Sequence, residues 1–117
     1  MLTVGEQMLG GLDPKVLKIT SIFGGGLAGT RQELCGALSA GAMIIGMLYG
    51  RASLAEDEQL ARQIVKTYRE RFLAEYGTTQ CSPLRDRYAA PDGSTNCGPL
   101  VERAALLLQE LLAQSSR

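Results

Sequence analysis

Residues 33–51, ELCGALSAGAMIIGMLYGR, place 17 uncharged residues between two charged ends. Twelve of the 17 are apolar, four are glycine and one is Ser39. A helix that is apolar on every side packs in the interior of a protein, although each internal glycine costs it about 1 kcal/mol relative to alanine. The stretch therefore predicts a central, fully buried, glycine-rich helix that starts near Arg31 and runs to about Tyr49.

Capping residues predict where the other helices start and stop. Asp13 followed by Pro14 indicates the start of a short helix. The segments 30–33 (TRQE) and 53–56 (SLAE) both match the capping box S/T-x-x-E, so we expect the central helix to start at the first and a long helix at the second. Gly77 is placed to end that long helix.

Two amphipathic helices are expected to cover the central one. Apolar residues recur at three- and four-residue spacing in both, first as Ala61, Ile64, Val65, Tyr68, Phe72 and Tyr76, and then, after Pro99, as Leu100, Val101, Ala104, Leu107, Leu108, Leu111 and Leu112. Shorter helices are predicted at 2–9 and around 84–88.

The expected class is all-α, with residues 1–117 forming a single domain. We expect that domain to be a compact bundle of four to five helices around the central helix.

Length and composition exclude several functions. A chain of 117 residues is long enough for one hydrophobic core, and its 12 basic and 12 acidic residues give no basic face for a nucleic acid. It has no histidine, which excludes hydrolases with a histidine base and leaves thiolates or carboxylates as metal ligands. No signal peptide is visible, and the uncharged stretch is short for a bilayer span. We therefore expect a cytoplasmic protein without stable membrane insertion.

The segment 24–29, GGGLAG, fits the pattern G-x-G-x-x-G of dinucleotide-binding loops. Such a site also needs a preceding strand and an acidic residue about 20 positions further on, where the chain has Ile44. Two interpretations stay open. The loop is either a tight turn against the core or a turn that brings backbone amides close to an anionic sulfur site.

Cys35, Cys81 and Cys97 each lie at or near the start of a predicted helix, or in the loop that leads to one. Helix N-termini favour thiolate over thiol, so all three are candidate reactive thiols. The alternative is that a buried cysteine only fills space in the core, as cysteine often does. No two of them form a C-x-x-C pair, which argues against a thioredoxin motif and a zinc knuckle.

The segment 23–26 (FGGG), the motif CGALSAG at 35–41 and two later isolated cysteines occur in one chain. Over nearly its whole length the chain resembles the C_GCAxxG_C_C family of redox-active proteins. Relatives of that family include the C-terminal part of split-Soret cytochromes, which carries an iron–sulfur cluster. The first cysteine of the family pattern is missing here, and we expect its position just upstream of Met1.

The resemblance implies redox chemistry through cysteine, with the possibility of an iron–sulfur cluster in electron transfer and of an unidentified redox protein as partner. The implied site residues are Cys35, Cys81 and Cys97, as catalytic thiols or metal ligands, and Gly24, Gly25, Gly26 and Gly36, as contacts to the cofactor. We expect these residues to meet near the N-terminal half of the central helix. The alternative, from another class, is a structural scaffold domain that forms a homo-oligomer through its apolar helices.

Overall fold

A computed structural model describes residues 11, 13–24, 26–88 and 98–115. These residues contain five helices: α1 Pro14–Ser21, α2 Gly36–Tyr49, α3 Gln59–Tyr76, α4 Cys81–Tyr88 and α5 Gly98–Ser115. Within those ranges there is no strand beyond an isolated antiparallel bridge between Leu34 and Gln80. The predicted all-α bundle is thus confirmed, while the helix expected at 2–9 lies outside the described residues.

The core lies where α2, α3 and α5 pack against one another. Six of the 14 residues of α2 are buried, a larger fraction than in either neighbouring helix, and Ile45 is completely inaccessible. The glycine-rich helix is therefore central, as predicted. It is not buried on every side, because Gly46 and Gly50 near its C-terminal end are exposed and Met47 to Tyr49 are half-buried.

The two predicted apolar stripes form the faces that cover α2. On α3 the buried residues are Ala61, Ile64, Tyr68, Phe72 and Tyr76, and on α5 they are Leu100, Ala104, Leu108, Leu111 and Leu112. The rings of Phe72 and Tyr76 are in contact, with centroids 4.8 Å apart. Gly77 ends α3 in the left-handed conformation, at φ 79°, as expected.

The start of α2 differs from the prediction, because 30–33 does not act as a capping box. Arg31 has a left-handed backbone, with φ 62°, and the Thr30 hydroxyl donates a hydrogen bond back to the Gly26 carbonyl at 2.8 Å. The Glu33 carbonyl accepts a hydrogen bond from the Cys81 amide instead of belonging to a helix. Pairing with a distant segment therefore delays the helix until Gly36.

The start of α3 was also predicted too early. The segment 53–56 forms turns, and the helix begins at Gln59, whose amide donates to the Asp57 carboxylate at 2.9 Å. By contrast, the start of α1 is as predicted, because the Asp13 carboxylate accepts a hydrogen bond from the amide of Lys15 at 2.8 Å. Over the described ranges, no helix combines the length and hydrophobicity needed to cross a bilayer.

We predict that Gly41→Ala destabilises the protein, by about 1–3 kcal/mol. A methyl group on Gly41 would lie 2.7 Å from Cζ and 2.8 Å from the hydroxyl oxygen of Tyr68, whose side chain is completely buried. The free energy of unfolding, measured by urea denaturation, checks this expectation.

Gly46→Ala is the matched control, because it makes the same change in the same helix. A methyl group there would meet no atom within 4 Å, so the higher helix propensity of alanine should raise stability, by about 0.5–1 kcal/mol. Equal effects of the two substitutions would contradict the close approach of α2 and α3 at Gly41.

Candidate thiol site

The starts of α2 and α4 are joined by the bridge between Leu34 and Gln80. Two backbone hydrogen bonds flank it, from the Cys35 amide to the Thr79 carbonyl at 2.8 Å and from the Cys81 amide to the Glu33 carbonyl at 2.9 Å. Side chains alternate between the two faces of such a pairing.

The observed burial follows this alternation. Leu34 and Gln80 point outward and are exposed, whereas Cys35, Thr79 and Cys81 are buried, at 8%, 9% and 6% exposure. The two cysteine side chains therefore share the inner face of the pairing. Sequence reasoning expected them to meet near the start of the central helix, and the structure brings them together there.

Cys35 and Cys81 are diagonal neighbours across the pairing, which corresponds to a Cα–Cα distance of about 7–8 Å. A disulfide normally needs about 4.4–6.8 Å between the same atoms, so a direct bond would require the backbone to shift. Two thiolates at this separation can instead bind one multi-atom group between them. Cys97 lies outside the described residues, so its membership of the site stays a prediction.

The glycine loop packs directly against this site through Gly26. Gly26 is buried and has a left-handed backbone, with φ 69°. A methyl group on it would lie 2.6 Å from the Cβ of Cys81 and 2.8 Å from the Cα of Arg31. Of the other predicted glycines, Gly36 is the half-buried first residue of α2, Gly24 is exposed, and Gly25 is outside the described residues.

The ends of two helices meet at the thiols. Cys35 is the N-cap residue of α2 and Cys81 is the first residue of α4. The unpaired amides of a helix N-terminus carry a partial positive charge, which stabilises a nearby anion such as a thiolate. The geometry therefore provides a setting for thiol chemistry that neither helix would provide alone.

Tyr68 is a neighbour of the site that sequence reasoning assigned only to the core. Its hydroxyl donates a hydrogen bond to the Ala37 carbonyl at 3.3 Å, in the first turn of α2. Burial raises the pKa of Tyr68, and the negative charge of Cys35 in its thiolate form and then that of Tyr76 raise it further. The phenol thus lies close to Cys35, a contact that no local sequence pattern could reveal.

Arg85 is a second residue that the sequence did not single out. It lies one turn after Cys81 on the same face of α4, and its Nε is buried with no hydrogen-bond acceptor among the residues that the structure describes. A buried donor without a partner costs about 1–3 kcal/mol. The sequence signal that could have found Arg85 is its position four residues after Cys81. In a helix that starts at Cys81, this spacing puts both residues on the same face.

A small apolar cavity of about 200 Å³ adjoins the thiol site. Phe23, Leu27 and Leu34 line it together with Glu33 and Ser39. The hydroxyl of Ser39 donates to the Cys35 carbonyl at 3.4 Å, which fixes this wall of the cavity to the start of α2. The cavity lies beside Leu34 on the outward side of the pairing, whereas Cys35 and Cys81 face inward.

Among the residues that the structure describes, the thiol site contains two possible metal ligands, the sulfur atoms of Cys35 and Cys81. No cluster of three or more Cys, Asp or Glu side chains suited to a metal ion occurs there. An iron–sulfur cluster commonly takes four thiolates. Of these, Cys35 and Cys81 would supply two, and the remaining ligands would have to come from Cys97 and from outside these residues.

Comparison with protein families gives a match over most of the chain. The family model described as "Putative redox-active protein (C_GCAxxG_C_C)" matches residues 1–111. No curated protein and no solved structure gave a significant match to the chain.

We predict that Gly26→Ala destabilises the fold and displaces Cys81. The new methyl group would impose a strained left-handed alanine, at about 1–2 kcal/mol, and would overlap the Cβ of Cys81. The free energy of unfolding should fall by about 2–4 kcal/mol in total. The rate at which iodoacetamide modifies Cys81, followed by peptide mass spectrometry, should rise because the buried thiol loses its cover.

Gly29→Ala is the control for this substitution. Gly29 has nearly the same left-handed backbone, with φ 76°, but a methyl group on it would meet nothing within 4 Å. It should therefore show the backbone cost of about 1–2 kcal/mol without faster modification of Cys81. The same modification rate in both variants would contradict the packing of Gly26 on Cys81.

We also predict that Tyr68 makes the fold less stable in alkali. An ordinary tyrosine in the unfolded chain loses its proton near pH 10, whereas the raised pKa of Tyr68 keeps the folded form protonated. The unfolded state therefore binds fewer protons, and stability should fall as the pH rises above about 10, by up to about 1.4 kcal/mol per pH unit. Urea unfolding at a series of pH values would measure this slope.

Tyr68→Phe removes the titrating group. The free energy of unfolding should then fall less steeply with pH, by up to about 1.4 kcal/mol per pH unit. All other tyrosines and lysines titrate in both proteins, so the difference between the two slopes isolates Tyr68. Identical slopes would show that this phenol ionises as readily in the folded protein as in the unfolded chain.

Proposed function

The chain belongs to the C_GCAxxG_C_C family, and we propose that it is a redox-active protein whose chemistry runs through Cys35 and Cys81, with Cys97 as the third thiol. The observation that carries this proposal is the bridge between Leu34 and Gln80, which puts both described thiols on one buried face. The match to the family supports redox activity in general. The arrangement of the thiols supports the particular residues.

The separation of the thiols favours a shared bound group over a direct disulfide. Forming a disulfide between Cys35 and Cys81 would release two electrons and two protons, but it would first require a backbone shift of about 1–2 Å. An iron–sulfur cluster needs no such shift, and when bound it would supply one-electron transfer. In that arrangement Cys35, Cys81 and Cys97 would be ligands, and Gly26 would pack against Cys81 and cover it from the side of the glycine loop.

The surrounding residues would position and shield such a group. The two helix N-termini would offset its negative charge, and the buried Nε of Arg85 would find an acceptor on it. Thiols that work in this way must be kept reduced, so a cytoplasmic location and an electron-exchanging partner protein belong to the proposal.

A structural role is the second candidate, and one observation favours it. Helix α1 buries none of its residues, and Ile19 and Ile22 at its C-terminal end are 59% and 57% exposed. Packing of these side chains against another copy would make the protein a homo-oligomeric scaffold. The absorption spectrum distinguishes the two functions, because an iron–sulfur protein absorbs visible light at about 400 nm and a scaffold protein does not.

Anaerobic expression followed by iron and sulfide analysis tests the first candidate. We expect iron and sulfide to be present together, and Cys35→Ser and Cys81→Ser each to lower the iron per chain to less than about half. Thr79→Ser is the control, because it alters the same pairing without removing a thiol. A colourless protein without iron, whose thiols also do not oxidise reversibly, would rule out the proposed function.

Arg85→Met gives a sharper test, because stability and function should change in opposite directions. Methionine keeps most of the apolar stem and removes the unpartnered donor, so the free energy of unfolding of the iron-free protein should rise by about 1–3 kcal/mol. Iron retention should fall, because the bound group loses a hydrogen-bond donor. A more stable protein with unchanged iron content and unchanged thiol reactivity would show that Arg85 has no part in the site.

A further inference from the structure

A second surface feature lies at the opposite end of α2 from the thiols. It is a groove of about 620 Å³ between the C-terminal part of α2 and the first half of α3. We call it the basic groove and define it by the cationic residues Arg51, Arg62, Lys66 and Arg69 above a floor that includes Gly46 and Ala61.

The charge of the basic groove is unbalanced, although the whole chain has no net charge. Its four cations face a single lining carboxylate, that of Glu58. Glu58 pairs with Arg51 at 3.3 Å and with Arg62 at 2.7 Å. Over the described ranges, Lys66 and Arg69 form no ion pair, so their charges are available to a ligand.

The floor of the groove allows close approach. A methyl group on Gly46 would meet no atom within 4 Å, which means that the space above this part of α2 is open. The side chain of Ala61 is a single methyl group, and the side chain of Val65 is half-buried. The floor of the groove is therefore weakly apolar, and little of it projects into the groove. A chain segment can therefore lie along α3 with its backbone near the floor and its side chains reaching the cationic rim.

We propose that the basic groove binds an acidic segment of a partner protein. Arginine and lysine bind carboxylates, arginine in a bidentate manner, and complementary charge is a basis for recognition at exposed surfaces. From Glu58 to Arg69 helix α3 rises about 16 Å, the length of about five residues in extended conformation. The fitting partner is therefore a short extended segment with several Asp or Glu residues.

Three other kinds of ligand fit less well. A nucleic acid requires a basic face that outweighs the rest of the surface, whereas this chain has as many acidic as basic residues. A membrane surface requires large apolar side chains beside the cations, whereas the floor here is built from small residues. A groove that is open to solvent also leaves a small anion largely hydrated, which limits its affinity.

The basic groove lies apart from the thiol site. Eleven residues separate Cys35 from Gly46 along α2, which corresponds to about 16 Å. A segment bound in the groove therefore contacts a different end of the molecule from Cys35 and Cys81. Loss of iron would leave this binding intact, and loss of this binding would leave the iron intact.

Fluorescence anisotropy with a labelled peptide of about ten residues, with three glutamates for each leucine, tests the proposal. We expect binding at low salt that weakens as the ionic strength rises, because exposed charges are screened. The double variant Lys66→Gln with Arg69→Gln should weaken binding by about fivefold or more, since it removes the two cations without ion pairs. Glu58→Gln should strengthen binding by about threefold, because it frees Arg51 and Arg62.

Lys15→Gln with Lys18→Gln is the matched control, because it removes the same net charge from α1, whose lysines do not line the groove. It should change the affinity by less than about twofold. Equal weakening by both double variants, or no binding by the natural sequence, would overturn the proposal. So would tighter binding of a thymidine oligonucleotide than of the peptide, or a monomer–dimer equilibrium that the groove variant abolishes, because the occupant would then be a nucleic acid or a second copy.

Discussion

Two backbone hydrogen bonds, from Cys35 to Thr79 and from Cys81 to Glu33, support the rest of the thiol site. They join segments about 45 residues apart in the sequence and determine which side chains face inward. A helix of eight residues such as α4 is marginal in isolation, so this pairing, together with the buried Leu84, gives it a fixed position. Without the pairing, neither the depth of the thiols nor their separation would be defined.

The pairing also explains which parts of the structure the sequence could predict. The sequence predicts most of the apolar stripes of α3 and α5, because their periodicity is a local signal that burial then reinforces. The predicted residues Val65, Val101 and Leu107 are only half-buried. The helix starts were predicted wrongly at 30–33 and 53–56, although both match the capping box. In the first of these, the Glu33 carbonyl and the nearby Cys35 amide are hydrogen-bonded to Cys81 and Thr79 and not within a helix. No local window of sequence contains that competing interaction. The hydrogen bond of Tyr68 to the first turn of α2 and the burial of the Arg85 Nε also depend on how distant segments pack, which no local pattern contains.

Packing of the core and geometry of the thiol site are coupled through Tyr68. Its ring occupies the space that Gly41 leaves open, and its hydroxyl is bonded to the carbonyl of Ala37, two residues after Cys35. A shift of α3 along α2 would therefore move the first turn of α2 and the thiol with it. This contact explains the two ends of the motif CGALSAG. Its cysteine is the proposed reactive thiol, and its last glycine leaves space for the aromatic ring that holds the first turn of α2 in place.

From sequence alone, every glycine within α2 carries the same cost of about 1 kcal/mol relative to alanine. The structure gives them different reasons. Gly41 permits the approach of Tyr68, whereas a methyl group on Gly50 would run into the carbonyl oxygen of Gly46. Gly46 has no such neighbour, and alanine there would be more stable in the isolated helix. Residues that lower the stability of a fold, and that no packing contact requires, are concentrated at functional surfaces. The open floor of the basic groove gives this glycine a role, since any larger side chain would stand where an acidic segment would bind.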